Sequence, residues 1–372
     1  MPKVLMLLSK PYFGDTRVKR ECESLAGADY SVDVLAWDRD KTSTPVSDNP
    51  SIDVDLIGPA CKWRSFKDFV FKLPRFWLAC LSASRKRSFS AVHAHDFDTL
   101  PVGFLISRLH GRPLFYDSHE SYADMIAKDA PPVITAKVRT IERLLMRGAA
   151  VIFVANENVS KLIGAKESVV LLNCPGESEI PIRCSPKEPK GGDTKRLGYF
   201  GSLEPGRFIT ESIGAISKTA GWSIVIGGEG TLAGTVKEAA QGSQSVRFLG
   251  HISHADVMEQ SSHCDALHVM LDPSNVNYRI STPLRLFEAM ALGIPSIVSK
   301  GIYPADVVEK ERCGFVCDFD IKSFSELLAR LSKSPQEMKE KGLNGQQAFH
   351  REYNWEKQAA KLLLAYSNAG VR

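Results

Sequence analysis

The chain has 372 residues, too many for one ordinary domain, and its 44% hydrophobic and 24% charged content suits a globular protein with more than one core. Lys and Arg number 47 against 43 Asp and Glu, a formal charge of only +4, which argues against a general nucleic-acid binder. Eight cysteines without a C-x-x-C pair argue against a zinc ribbon or a disulfide framework.

The opening "MPKVLMLLS" is too short and too abruptly polar for a signal peptide and reads as a buried strand. No apolar run approaches the roughly 20 residues of a membrane-spanning helix, so a reducing cytoplasm is the expected location. "SVDVLAW", "AVHAH", "RPLFYDS", "AAVIFVA" and "SVVLLN" follow as further strands, several of them near-continuously apolar, as strands covered on both faces should be. Helical patterns lie between them, for example over residues 16–25 and 99–109.

Residues 62–87 carry eight Lys or Arg against one Asp, with Trp63, Phe66, Phe69, Phe71, Phe76 and Trp77 interleaved. Such a segment could lie on an anionic membrane surface. The plainer alternative is a helix whose aromatics pack on its own domain and whose cations are solvated.

"AVHAHDFDTL" puts His93 and His95 on one strand face, with Asp96 beside the strand end, and "LFYDSHESY" ends the next strand with Asp117, Ser118, His119 and Glu120. Titratable groups converging at neighbouring strand ends are candidates for acid–base or hydroxyl-positioning chemistry. The bland alternative makes Asp98 and Ser118 caps of the following helices. H-x-H-D also resembles part of a metallohydrolase ligand set, but only His119 could add a further histidine at a strand end, so no metal is assigned. D-x-D recurs in unrelated contexts and carries no metal signal.

Residues 174–196 are polar and proline-rich, with linker composition. The strand pattern then restarts with "RLGYFG", "SIVIGG", "SVRFLG", "CDALHVML", "PSIVS" and "GFVCD". The fold class is α/β: two doubly wound, Rossmann-like domains joined by one linker, with ligands expected beyond the strand carboxyl ends in a cleft between the domains. Gly201 ends one strand and is followed by "SLEPGR"; "GGEG", residues 227–230, follows another. Glycines there would let the backbone approach a phosphate, with Arg207 as a cation, although such turns are also structurally ordinary.

"STPLRLFEAMALGIP", residues 281–295, reads as a buried helix, with Ser281 or Thr282 as N-cap, Pro283 in the first turn and Gly293 as the stop. Apolar residues run all round its axis, yet it carries Arg285 and Glu288 at i,i+3. A mutual ion pair is one explanation. Against it, a cation in the first turn opposes the helix dipole, and a buried pair costs several kcal/mol unless fully satisfied. A nucleoside diphosphate, phosphates at the helix start and ribose one turn on, would satisfy both charges.

Taken together, "DTRVKRECESL", "VHAHDFDTLPVG", "FYDSHE", "YFGSL", "IGGEG", "VRFLGHIS", "STPLRLFEAMALGIPSIVS" and the final "EYNWEKQAAKLLLAY" resemble, in order and spacing, a GT-B fold glycosyltransferase of the retaining family 4 (glycosyltransferase group 1). The resemblance implies an N-terminal acceptor-side domain over 1–176 with a returning helix over 355–372, a linker over 177–195, and a nucleotide-sugar domain over 196–354. It implies donor contacts at Gly201, Ser202, Arg207, Gly228 and Glu229, and at Ile252 through its backbone. Ser281, Thr282, Pro283 and Leu284 would meet the diphosphate, Arg285 stands where a lysine is common, and Glu288 would hold the ribose. Gly14, Asp15, Arg17 and His95 would line the acceptor side. His119, near the transferred sugar, would be catalytic with Asp96 and Glu120. Many relatives carry another glutamate eight positions before the one at 288, but Ile280 stands here, so Asn275, Asn277 or local backbone groups would have to replace it.

The implied partners are a nucleotide-sugar donor and a sugar or lipid-linked acceptor, with no metal and no cofactor beyond the donor. An anionic membrane surface would be met through residues 62–87, and the location would be cytoplasmic, peripheral on the inner membrane face. Rival readings are a nucleotide-sugar epimerase of the same fold, a metal-dependent hydrolase built on the HAHD and DSHE segments, and a non-catalytic sugar-nucleotide-binding partner.

Overall fold

The computed structural model describes residues 1–39, 41, 47–61, 65–180 and 194–371. Lys62, Trp63 and Arg64, and residues 181–193 of the expected linker, lie outside the described residues. The chain forms two units, Met1–Leu172 with Gln358–Arg372, and Asn173–Lys357.

Unit 1 is built on a parallel sheet of β1 (Lys3–Leu8), β2 (Ser31–Trp37), β3 (Ile52–Ile57), β4 (Ala91–His95), β5 (Leu114–Ser118), β6 (Val151–Val154) and β7 (Val169–Val170), in the order β3-β2-β1-β4-β5-β6-β7. β3 is not anticipated by the apolar-run criterion. It is an edge strand with one wetter side, so Asp53 and Asp55 alternate with buried Ile52 and Val54. The expected strand "SVVLLN" shrinks to the two residues of β7.

Right-handed crossovers put the helices that move the chain towards β7 on one face and those that move it towards β3 on the other. Phe66–Ser84, Leu100–His110 and Pro132–Met146 therefore share a face, and each packs against the next. Gly103 marks how closely the middle one lies on the sheet: a Cβ there would stand 2.9 Å from Ala94 Cβ. The opposite face is covered by Thr16–Ala26 and by the returning helix Trp355–Asn368. From that helix, Tyr366 stacks on Phe115 with ring centres 4.1 Å apart and shares a 2.9 Å hydrogen bond with His93 Nδ1. Tyr30 donates to the Val371 carbonyl beside it.

The aromatics of residues 62–87 mostly take the plainer of their two expected roles. Trp37 stacks on Phe69 and Phe76 at 5.4 and 4.9 Å, and Trp77 Nε1 donates to the Asp98 carbonyl, while Phe71 is exposed.

Unit 2 is a second parallel sheet: β8 (Lys195–Phe200), β9 (Trp222–Gly227), β10 (Val246–Phe248), β11 (Ala266–Val269), β12 (Ser296–Ser299) and β13 (Gly314–Cys317), ordered β10-β9-β8-β11-β12-β13. The strand order reverses between β1 and β4 in one sheet and between β8 and β11 in the other. Each reversal opens a crevice at the strand carboxyl ends, where ligands of such sheets bind.

The expected buried helix runs Leu284–Leu292, with Arg285 through Ala291 buried and Gly293 left-handed at its C-cap. Its start differs from the expectation. Pro283 is the N-cap, and neither Ser281 nor Thr282 caps the helix through its side chain. Proline can lend no side-chain acceptor: the Leu286 N–H goes to the Pro283 carbonyl at 3.0 Å, and those of Leu284 and Arg285 stay available to another acceptor.

Candidate active site

In unit 2 the crevice starts from two glycine turns. Gly201 (φ 144°) and Gly228 (φ 143°) end the neighbouring strands β8 and β9. A Cβ on Gly228 would fall 1.8 Å from the Gly201 carbonyl oxygen, and one on Gly230 would fall 2.4 Å from that of Leu203. Gly228 and Gly230 are thus required by the packing of one turn on the other. Gly201 is different, since a Cβ there would point at the Arg285 guanidinium, 3.3 Å from its nearest terminal nitrogen.

Arg285 and Glu288 do not form the ion pair that their spacing allows. Glu288 Oε1 is held at 2.8 Å by His254 Nε2, from the start of helix His254–Ser262. Arg285 is 7% exposed and lies over the Tyr199 ring at 4.7 Å, and its Nε and one terminal nitrogen are buried without a hydrogen-bond acceptor. Arg207 lies over Tyr278 at 5.4 Å, with its Nε in the same condition. Burial depresses the Arg285 pKa, and the nearby Arg207 charge depresses it further. Burial, with Arg285 close by, also drives His268 down to about 3. The turn after β8 is therefore a region short of one anion. A buried guanidinium without an acceptor is too costly to be ordinary packing.

Around these groups, Ser202 is exposed and its carbonyl accepts from the Tyr199 hydroxyl at 2.6 Å. Glu229 is exposed, with His251 at 3.7 Å. Ile252 lies against Gly227, and Leu284 opens the helix. At the position of the absent glutamate, Ile280 is buried at the end of Val276–Ile280. Asn275 spends its side-chain oxygen capping that helix, whereas the Asn277 oxygen is buried without a donor.

In unit 1 the groups at the ends of β1, β4 and β5 form one network. Gly14 closes the 3-10 turn Tyr12–Gly14, and Asp15 caps helix Thr16–Ala26 by accepting from the Arg17 and Val18 N–H groups at 3.1 Å. Lys10 Nζ stands 2.7 Å from Asp15. Arg17 is buried and forks onto Asp117 through Nε and a terminal nitrogen at 2.8 and 2.7 Å. Asp117 Oδ2, which accepts from Arg17 Nε, also stands 3.0 Å from His119 Nε2 and 3.5 Å from His95 Nδ1. Asp96, in the left-handed region at φ 62°, accepts from the His119 N–H at 3.1 Å and stands 3.7 Å from His119 Nδ1. A non-glycine residue held there at the end of β4 stores strain where chemistry is expected.

The charges follow from these contacts. Burial alone would lower the His119 pKa, but Asp96 and Asp117 outweigh it and raise it. Burial alone would raise Asp117, and Arg17 with His119 overturns that, holding it well below the carboxylate range. His93 and His95 are kept neutral by burial. Glu120 is more exposed than its neighbours, yet lies close enough to Asp96, Lys10 and His119 for their charges to act on it. Neither expected cap forms: Asp98 accepts from Ser9, and Ser118 donates to the Glu120 carbonyl. Burial, with Asp96 nearby, pushes Asp98 up to about 6.

Glu21, His93, His95 and Asp117 bring one ligand atom each within 4.8 Å of one another. An ion fits them poorly because Arg17 already occupies the place of the cation, 3.1 Å from Glu21 and 2.7 Å from Asp117. Glu21 is the group strained by this arrangement: burial, then the Asp117 charge, raises its pKa well above the ordinary value. A raised carboxyl pKa contributes stability below the unfolded value and loses it as pH rises towards the folded one. Glu21→Gln should accordingly melt higher than the wild type at pH 8, with the advantage shrinking by pH 5. Equal differences at the two pH values would show that Glu21 ionises freely.

Sequence reasoning missed His254 and Lys10, which no local spacing ties to Glu288 or Asp15. Glu21 had a signal, an acid at i+4 from Arg17 on the same helical stripe as Val18, Cys22 and Leu25.

Comparison with known proteins supplies the family. Residues 194–334 match the model described as "Glycosyl transferases group 1", and residues 14–168 the one described as "Glycosyl transferase 4-like domain". No curated protein matches the sequence. Sucrose-phosphate synthase from Thermosynechococcus elongatus superposes with a TM-score of 0.82 at 16% identity, covering 99% of both chains. Anabaena HepE, crystallised with UDP and glucose, gives 0.71 at 15%, covering 99% of this chain and 100% of its own. WaaG, a glycosyltransferase involved in lipopolysaccharide biosynthesis, gives 0.68 at 13%, covering 99% of both. At these identities the likeness shows the GT-B fold. Among the described residues no helix is long and apolar enough to cross a membrane.

Proposed function

Because the chain belongs to the group 1 glycosyltransferases, we propose that it moves a sugar, with retention of anomeric configuration, from a nucleoside diphosphate sugar to an acceptor hydroxyl. The reading rests above all on the buried, acceptor-less nitrogens of Arg285 and Arg207 beside the Gly201 turn. A diphosphate would take its hydrogen bonds from them and from the uncapped start of Leu284–Leu292. Glu288, one turn along, would accept from the ribose through the oxygen not held by His254.

The reaction is departure of the nucleoside diphosphate from the anomeric carbon. Negative charge grows on the leaving phosphate, and preoriented guanidinium and helix N–H donors stabilise it more as it grows. Arg285 and Arg207 bring the positive charge that a metal would otherwise supply, so the reading calls for no cofactor beyond the donor. The acceptor hydroxyl would attack from the leaving-group face and pass its proton to the departing phosphate. In unit 1, His119, raised in pKa and fixed by Asp96 and Asp117, would stand by the transferred sugar as a donor of hydrogen bonds. The acceptor would be a sugar or a lipid-linked glycan, and WaaG, of the same fold, is involved in lipopolysaccharide biosynthesis.

The test is a thermal-shift panel of UDP-, GDP- and ADP-sugars, followed by titration of the best ligand into Glu288→Ala. Loss of about 1–3 kcal/mol of affinity is expected, the range for a hydrogen bond to a charged group. Full affinity in a folded variant would remove Glu288 from the ribose.

A further inference from the structure

Seven large apolar side chains among the described residues are at least 60% exposed, and five of them stand on the three helices that share one face of unit 1. Phe71 and Leu78 lie on Phe66–Ser84, Leu109 on Leu100–His110, and Val133 and Leu144 on Pro132–Met146. Phe71 and Leu78 are seven residues apart and Val133 and Leu144 eleven, so each pair returns to within about 20° around its helix. The apolar positions thus form lines along the helices, and the helices lie side by side.

The exposed charges on the same segments all have one sign. Residues 66–87, 100–112 and 132–147 hold nine exposed Lys or Arg and no exposed Asp or Glu. Their two acids are spent internally: Asp68 accepts from Lys72, and buried Glu142 accepts from Tyr116. Helix dipoles explain part of this, since Arg108 and Arg143 lie in last turns, where a cation is favoured. They do not explain Lys67 in a first turn, or Arg75 and Lys137 within helices.

We propose that this three-helix face docks on an anionic lipid bilayer, with the exposed apolar side chains entering the headgroup boundary and the cations meeting the lipid charge. An apolar partner protein would not call for uniform cations, and a nucleic acid would leave the apolar lines without a role. The sequence places the membrane contact in residues 62–87 alone; the proposed contact spreads over three helices, with Phe71 the most exposed aromatic among the described residues of that segment. The proposal stands on unit 1 and does not require the donor assignment.

Sedimentation of the full chain with phosphatidylcholine vesicles, with and without roughly one-third phosphatidylglycerol, tests it. Binding is expected to the anionic vesicles only, and to weaken as salt rises. The pairs Phe71→Asp with Leu144→Asp, and Lys67→Glu with Lys137→Glu, should each lower partitioning about tenfold or more, with melting temperature and nucleotide-induced shift unchanged. All four positions are exposed, so folding should survive. Failure of the wild type to bind anionic vesicles, or wild-type binding by both variants, overturns the proposal. So does a dimer in light scattering that Leu144→Asp dissociates without any vesicle binding, since a second copy would then cover the face.

Discussion

Arg285→Met is expected to make the free protein more stable and nearly useless as a nucleotide binder. Burying a guanidinium with two nitrogens unpaired costs several kcal/mol, while its contact with the Tyr199 ring returns about 0.5–2 kcal/mol. Methionine keeps the contact with the ring and removes the charge, so a gain of about 1–3 kcal/mol in unfolding free energy should follow. Removing two charge-assisted hydrogen bonds to the diphosphate should lower affinity by roughly a hundredfold or more. Urea unfolding without ligand and calorimetric titration of the best nucleotide measure the two halves separately. A variant that binds nucleotide as the wild type does would take Arg285 out of the donor site, whatever its stability.

The second large effect has the opposite sign. Asp117→Ala should destabilise the protein by about 3–5 kcal/mol, because it leaves Arg17 buried with its two-pronged partner gone. The loss should exceed that of a comparable surface pair, which is worth about 1 kcal/mol at most. If Arg17 is replaced as well, in Arg17→Met/Asp117→Leu, most of the stability should return, because neither member then stays buried and charged alone. A single-variant loss under about 1 kcal/mol in urea unfolding would show that water or Glu21 takes over the pairing.

The sequence makes the parallel α/β organisation legible because strands covered on both faces have no reason to carry polar residues, and runs such as "KVLMLLS" show it. β3 breaks that rule as an edge strand, and its two aspartates make it look like a motif instead. The helix of residues 284–292 was readable as buried, and its two charges as anomalies. What they touch was not readable, because His254 lies 34 residues from Glu288 and the Gly201 turn lies on another strand. The unit 1 cluster was half visible. The strand-end positions of His95, Asp96 and His119 follow from alternation, but the fork of Arg17 on Asp117 spans 100 residues and depends on the stacking of a helix on a sheet.

The returning helix places Tyr366 against Phe115 and His93 in the interior of unit 1, while the intervening chain, residues 173–357, is all unit 2. A ribosome makes these parts in order. Unit 2 can close on itself as soon as its own residues emerge, but unit 1 must wait, with Phe115 and the His93 face uncovered, until the final helix has been translated. Unit 1, though its strands are made before those of unit 2, is thus finished after it, with part of its interior open until then.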